Sequence, residues 1–179
     1  MKRTRFFKTA LFAAAALLMY SSTQAQGDKS SRPSPPATAT GTAAGSTITI
    51  SYSSPAVKGR KIWGGLVPYD KVWRAGANEA TIFETSKPIK IEGKSLPAGK
   101  YSLFATPGET EWTIILNSET GQWGIKRDGD ANRDPAKDVV TVKVKPKKLS
   151  SSQERLTYEV KSPGFVLNWE YVSVPVSIK

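Results

Sequence analysis

The chain contains no cysteine and no histidine among its 179 residues. Without cysteine there are no disulfides, and no lipid anchor can be attached at a cysteine following a cut site. Without histidine there is no Ser-His-Asp catalysis, and the two absences together exclude a Cys-His pair. They also remove zinc or copper sites built on imidazole or thiolate, and haem or iron–sulfur ligation by those groups. No glycine-rich nucleotide loop follows a strand and opens a helix. Beyond the first 25 residues no stretch keeps a 3.6-residue apolar period, so helices are not expected. Any chemistry is left to carboxylates, lysine, tyrosine or an oxygen-bound metal.

The N-terminus has a pattern of its own. Lys2, Arg3, Arg5 and Lys8 precede an apolar run from Thr9 to Tyr20, and small or polar residues follow up to Ala25. This order of basic, apolar and small residues predicts a secretory signal peptide over residues 1–25, cut after Ala25. The apolar run falls short of the roughly 20 residues needed to span a bilayer. The expectation is therefore a periplasmic or secreted protein with no membrane span after cleavage. Residues 26–33 are polar and poor in apolar bulk, and are read as a flexible linker. Residues 34–179 are read as one domain, with Ser34 to Ala37 lying extended along it.

Removing the leader takes away four basic residues and no acid. That leaves 22 basic against 15 acidic residues and a net charge of +7, down from +11. The excess gathers at Lys87, Lys90, Lys94 and Lys100, and at Lys143, Lys145, Lys147 and Lys148. Such runs can bind anionic partners, but these lack the interleaved aromatics that stack on bases. They are read as solvated strand faces that also protect sheet edges, with no nucleic-acid partner.

From Thr47 onward the period is two. Ile48, Ile50 and Tyr52 alternate with polar neighbours, as do Tyr101, Leu103 and Ala105, then Val140, Val142 and Val144, then Leu156, Tyr158 and Val160. Residues 80–85 and 88–91 are short strand candidates, and Trp112 to Leu116 reads as a central strand. Short strands separated by Gly/Pro/Asn turns indicate an all-β, antiparallel β-sandwich. In the last segment Phe165, Leu167 and Trp169 fall on odd positions, whereas Val172, Val174, Val176 and Ile178 fall on even ones. One strand can bury both sets only if a residue is bulged out, and this predicts a bulge near Glu170–Tyr171.

Arg60 to Thr81 is the segment densest in Trp, Arg and Gly. It reads as a long connection with short strand pieces. A ligand cleft walled by Trp63, Trp73 and Trp123 would have Arg60, Arg74, Asn78 and Glu79 as polar contacts. Indole faces stack on rings, and arginine forks grip carboxylates. In the competing reading the tryptophans fill the core, Arg74 pairs with Glu79, and Asn78 satisfies turn backbone. A second candidate is the run Asp128, Asp130, Asn132 and Asp134, with oxygen ligands at every second position, as Ca²⁺ prefers. It lacks the glutamate and glycine of a complete calcium loop, so a solvated turn is expected, with weak Ca²⁺ binding as the alternative and no other cofactor. A third is a carboxylate pair for glycan hydrolysis, Glu79 with Asp70 or Glu111.

Residues Ser54 to Arg60, Ile62-Trp63-Gly64, Leu66 to Tyr69, Val72-Trp73-Arg74 and Gly76 to Thr81 resemble the hallmark of the DUF2911 family. That is a domain of unknown function common in exported Bacteroidetes proteins. Leu96 to Phe104, Glu111-Trp112 and Gln122-Trp123-Gly124 are similar to its later motifs. The resemblance runs from Ser34 to the C-terminus. It implies a β-sandwich in the cell envelope and no particular activity. Three functions are thus carried forward. One is a non-catalytic binding module for a carbohydrate, peptide or small acid. The others are a carboxylate-dependent glycan hydrolase and a structural or partner-binding protein without a pocket.

Overall fold

Alternation of apolar and polar side chains is what a strand needs to bury one face, and it marks Ser46–Ser53, Asp138–Val144 and both strands of a long ribbon, Lys147–Lys161 and Gly164–Ser177. The computed structural model describes residues 28–179. Asp28 to Ser31 fall outside the main unit and make a single turn in which the Asp28 carboxylate accepts from Ser30 N–H at 2.9 Å. The main unit begins at Arg32, two residues before the expected boundary. The predicted signal peptide, residues 1–25, lies outside the described residues.

The strands are β1 (Pro36–Ala43), β2 (Ser46–Ser53), β3 (Thr81–Thr85), β4 (Ile89–Ile91), β5 (Lys94–Leu96), β6 (Gly99–Thr106), β7 (Trp112–Asn117), β8 (Asp138–Val144), β9 (Lys147–Lys161) and β10 (Gly164–Ser177). Six of them form one antiparallel sheet in the order β1-β2-β3-β6-β7-β8. The long β9–β10 ribbon packs against its inner face, and β4–β5 form a small separate hairpin. The architecture is an all-β, antiparallel sandwich. Its core joins Ile48, Ile50, Phe83 and Leu103 of the sheet to Leu156, Tyr158, Phe165 and Val174 of the ribbon. No helix among the described residues is long and apolar enough to cross a membrane.

The parity switch in β10 has the expected cause. Glu170 adopts a positive φ of 54°, and the register with β9 shifts on both sides of it. Phe165, Leu167 and Trp169 before the bulge and Val174, Val176 and Ile178 after it all point inward.

One strand differs from expectation. Pro36–Ala43 carries no large apolar residue, yet it pairs along its full length with β2 as β1. Its partner supplies the hydrogen bonds, and its small side chains let β9 pass close by. A Cβ on Gly41 would stand 2.4 Å from the Val160 carbonyl oxygen. The lysine clusters are exposed, and Lys143 pairs with Glu111 at 2.6 Å.

β6 and β7 are buried on both faces, and this is what places the site. On the face away from the ribbon, Phe104 and Ile115 form a second small core with Ala80, covered by Val72 and Ala131. Val72 of the connection 54–80 and Ala131 of the connection 118–137 therefore cover the outer face of the central strands, while Ile62, Trp63, Val67 and Ala75 of the first connection join the core between sheet and ribbon.

Candidate functional site

The connection between β2 and β3 is anchored by backbone bonds as well as packing. Trp73 N–H donates to Ala105 O at 2.7 Å, and Ala105 N–H returns a bond to Trp73 O at 2.9 Å. Trp73 thus extends the sheet along β6 beyond the end of β3, which pairs only as far as Leu103. The following turn is tied from two directions. Ala75 O accepts from Tyr158 Oη at 2.7 Å and from Thr81 Oγ1 at 3.0 Å. Burial pushes the Tyr158 phenol well above its ordinary range, so it stays a donor at any working pH.

Four of the five tryptophans meet beneath this turn. Trp63 lies edge-on to Trp73, Trp112 and Trp169, with ring centroids 5.8, 4.8 and 5.6 Å away. Trp73 and Trp169 stack at 5.9 Å with 17° between their planes. Trp63, Trp112 and Trp169 are at most 6% exposed, whereas Trp73 is half-buried. The indole N–H groups of Trp63 and Trp169 are buried without an acceptor among the described residues. Trp73 Nε1 donates to Gly76 O at 3.1 Å.

A cleft of about 560 Å³ opens above this cluster. Trp73, Trp169 and Val67 form its apolar wall, and Arg60, Lys71 and Arg74 bring positive charge. Asp128 and Asp130 reach it from the connection between β7 and β8. Arg74 is its best-defined polar group. Its only hydrogen bond among the described residues runs from Nε to Gly76 O at 3.3 Å, and no carboxylate pairs with it. Burial lowers its pKa from the ordinary value, the mark of a cation taken partly out of water without compensation. Gly124 sets where it lies, because a Cβ there would stand 2.2 Å from Arg74 Cδ. Arg60 is exposed, and its guanidinium holds Val57 O and Ala56 O at 3.0 and 2.6 Å.

The seven residues singled out from sequence therefore separate. Arg60, Trp73 and Arg74 line the cleft, and Trp63 lies behind Trp73 in the core. Asn78, with φ of 56°, donates to Ser34 O at 2.9 Å and so fixes the start of the domain. The expected Arg74–Glu79 pair is not formed. Glu79 is held instead by Arg32, whose Nη1 reaches both carboxylate oxygens at 3.0 and 3.1 Å. Trp123 is 48% exposed and stands outside the cleft, paired through its backbone with Glu79. Sequence reasoning missed Lys71, Gly124 and Trp169. For Gly124 the signal was present in the Trp-Gly dipeptide, but the side chain it must clear lies 50 positions away.

Asp128, Asp130, Asn132 and Asp134 are spread along one connection. Among the described residues no group of three or more acidic side chains gathers as metal ligands. The reason is a tight hairpin, with Ile125 bridged to Ala131 and Lys126 N–H bonded to Asp130 O at 2.8 Å. It leaves Asp128 and Asp130 at the tip and Asn132 and Asp134 on the stem. Asp128 Oδ1 accepts from Asp130 N–H, and Asp134 Oδ1 caps the turn Pro135–Lys137 through Ala136 N–H, both at 3.0 Å. The carboxylates weighed for hydrolysis lie outside the cleft. Glu79 is bound by Arg32 and Glu111 by Lys143, and neither they nor Asp70 line the cleft.

A second depression beside β4–β5 is shallower, and its only charged groups are Lys90 and Lys179. The fold and the cleft thus define a class, a disulfide-free β-sandwich with a Trp- and Arg-lined depression beside its tryptophan cluster. The chain belongs to the DUF2911 family, described as a protein of unknown function, whose match covers residues 34–178. Comparison with the curated proteins and with the solved structures found no match.

Proposed function

We propose that this is an exported, non-catalytic binding domain whose cleft takes a small organic acid or peptide. The observation that carries the reading is Arg74. A half-buried guanidinium without a carboxylate partner is costly to keep, and an incoming anion removes that cost. Among the described residues its outer nitrogens have no hydrogen-bond partner, so the fork can meet a carboxylate through two parallel hydrogen bonds. Trp73 beside it offers a ring face to the apolar part of the ligand. Export rests on the basic, apolar and small-residue order of positions 1–25.

The test is titration of a panel of organic acids and short peptides, followed by calorimetry on the wild type, Arg74→Gln and Trp73→Ala. Binding by the wild type with a loss of about tenfold or more in each variant is expected. Equal affinity in all three proteins would remove the cleft from consideration. Fractionation of expressing cells with N-terminal sequencing checks export, the expected first residue being Gln26.

One observation favours a second reading. Trp63, Trp112 and Trp169 serve the core, as a structural or partner-binding protein without a ligand would also require. That reading predicts no affinity for any member of the panel.

A further inference from the structure

We propose that the ligand of the Trp73–Arg74 cleft is a small zwitterion, an amino acid or short peptide whose carboxylate meets Arg74 and whose ammonium meets Asp128 and Asp130. The inference rests on the binding reading above and narrows it to one chemical class.

Three observations lead there. Charges of both signs border one cleft, yet they do not neutralise each other. Among the described residues the ion pairs involve neither Arg74, Lys71 and Arg60 nor Asp128 and Asp130. Opposite charges kept apart across a depression match a ligand with separated charges. A phosphate or dicarboxylate would gain at Arg74 and be repelled by two aspartates, and a neutral sugar would leave Arg74 unpaired.

The second observation concerns how each charge is held. Arg74 is fixed over Gly124, and among the described residues its guanidinium bonds through Nε alone. Asp128 has spent one oxygen on Asp130 N–H, and the Asp130 carboxylate makes no hydrogen bond to the described residues. Acceptors for an ammonium therefore remain on the rim, as do donors for a carboxylate on the floor.

The third is an orphan donor. Trp169 lines the same cleft at 1% exposure, and its Nε1–H lacks an acceptor among the described residues. Buried N–H groups are nearly always satisfied, so an acceptor oxygen arriving from outside the chain answers an existing deficit. A carboxylate or a peptide carbonyl is such an acceptor. The volume of about 560 Å³ admits an amino acid with a large side chain or a dipeptide.

The experiment uses phenylalanine and alanyl-alanine, each free, N-acetylated and C-terminally amidated. Binding to the protein of residues 26–179 is followed by calorimetry and by the five indole N–H resonances in ¹H–¹⁵N spectra. The free forms are expected to bind and to shift an indole signal. N-acetylation and amidation should each cost about tenfold to a hundredfold in affinity. Replacing Asp128→Asn and Asp130→Asn together should bring the free forms down to the affinity of the acetylated ones. Arg74→Lys, which keeps the charge but loses the fork, should weaken every carboxylate-bearing probe, with circular dichroism verifying the fold. Acetylated forms that bind as tightly as free ones overturn the zwitterion and leave the binding reading standing. If none of the six compounds binds at millimolar concentration while an organic acid from the wider panel does, the zwitterion alone fails. If nothing in either set binds, both readings fail.

Discussion

The two connections that border the cleft are held by opposite means. Residues 54–80 sink Ile62, Trp63, Val67, Ala75 and Ala77 below the surface and join the sheet through Trp73. In residues 118–137 only Gly124 is buried. Charge and hydrogen bonds fix that second connection. Arg133 grips Asp138 with Nε and Nη2, the shortest contact being 2.6 Å, and buried Asn117 ties both Asp138 and the Asp134 carbonyl at 2.8 Å. The cleft therefore has one wall set by apolar packing and one set by an ion pair. Dispersion and burial depend little on pH or salt, whereas the ion pair depends on the ionisation of one carboxylate.

The largest test of that contrast is Trp63→Ala. Trp63 touches three other indoles and is 6% exposed, so its removal should cost about 3–5 kcal/mol in urea unfolding. A cost below about 1 kcal/mol would mean that the packed wall is not held by its tryptophans.

Next comes Asp138→Ala, expected to cost about 2–3 kcal/mol because it strands Arg133 and Asn117. The pair is 17% exposed on each side, which keeps this below the cost of a fully buried charge. Burial alone would raise the Asp138 carboxyl. Hydrogen bonds from Arg133 and Asn117, with the Arg133 charge, outweigh it and hold the group below 3.8. A carboxyl depressed on folding stabilises the native state above its unfolded value. That contribution is lost as pH falls below 3.8 through the lower folded value. Stability measured through this window should fall less steeply in the variant than in the wild type. Identical slopes would show that the second wall is not held by this charge.

How much of this could be read from residues alone follows the same division. Period-two alternation located the strands of both layers, and the change of parity after Trp169 located the bulge at Glu170. β1 was invisible because Pro36–Ala43 has no apolar alternation; β2 and the close approach at Gly41 make it a strand. In the site, the density of Trp and Arg marked the correct segment. The partners were not legible, since Glu79 had a nearer arginine in sequence at position 74 and yet bonds to Arg32, 47 residues away. The geometry of the acidic run was not legible for a related reason. Ligand spacing describes a loop wrapped round a point, and the bridge from Ile125 to Ala131 turns it into a hairpin.

A smaller effect sharpens the packed wall. Tyr158→Phe removes one of two donors to Ala75 O and leaves Thr81 in place. The cost should be about 1 kcal/mol by urea unfolding, with no new pH dependence between 5 and 8. A much larger loss would show that the ribbon, more than the sheet, positions the turn before Asn78.

The smallest effect is expected where an ion pair looks equally close but has no burial behind it. Lys143 and Glu111 approach to 2.6 Å, the same distance as Arg133 and Asp138. Lys143 is 71% exposed, however, and neither partner holds a connection in place. Water solvates both ions nearly as well apart as together, and side-chain ordering offsets what Coulomb attraction remains. Glu111→Gln should therefore leave the unfolding midpoint and the acid limb unchanged, at low and at high salt. If it destabilised the domain as much as Asp138→Ala, contact distance rather than desolvation would govern these pairs, and the contrast between the two walls would lose its physical basis.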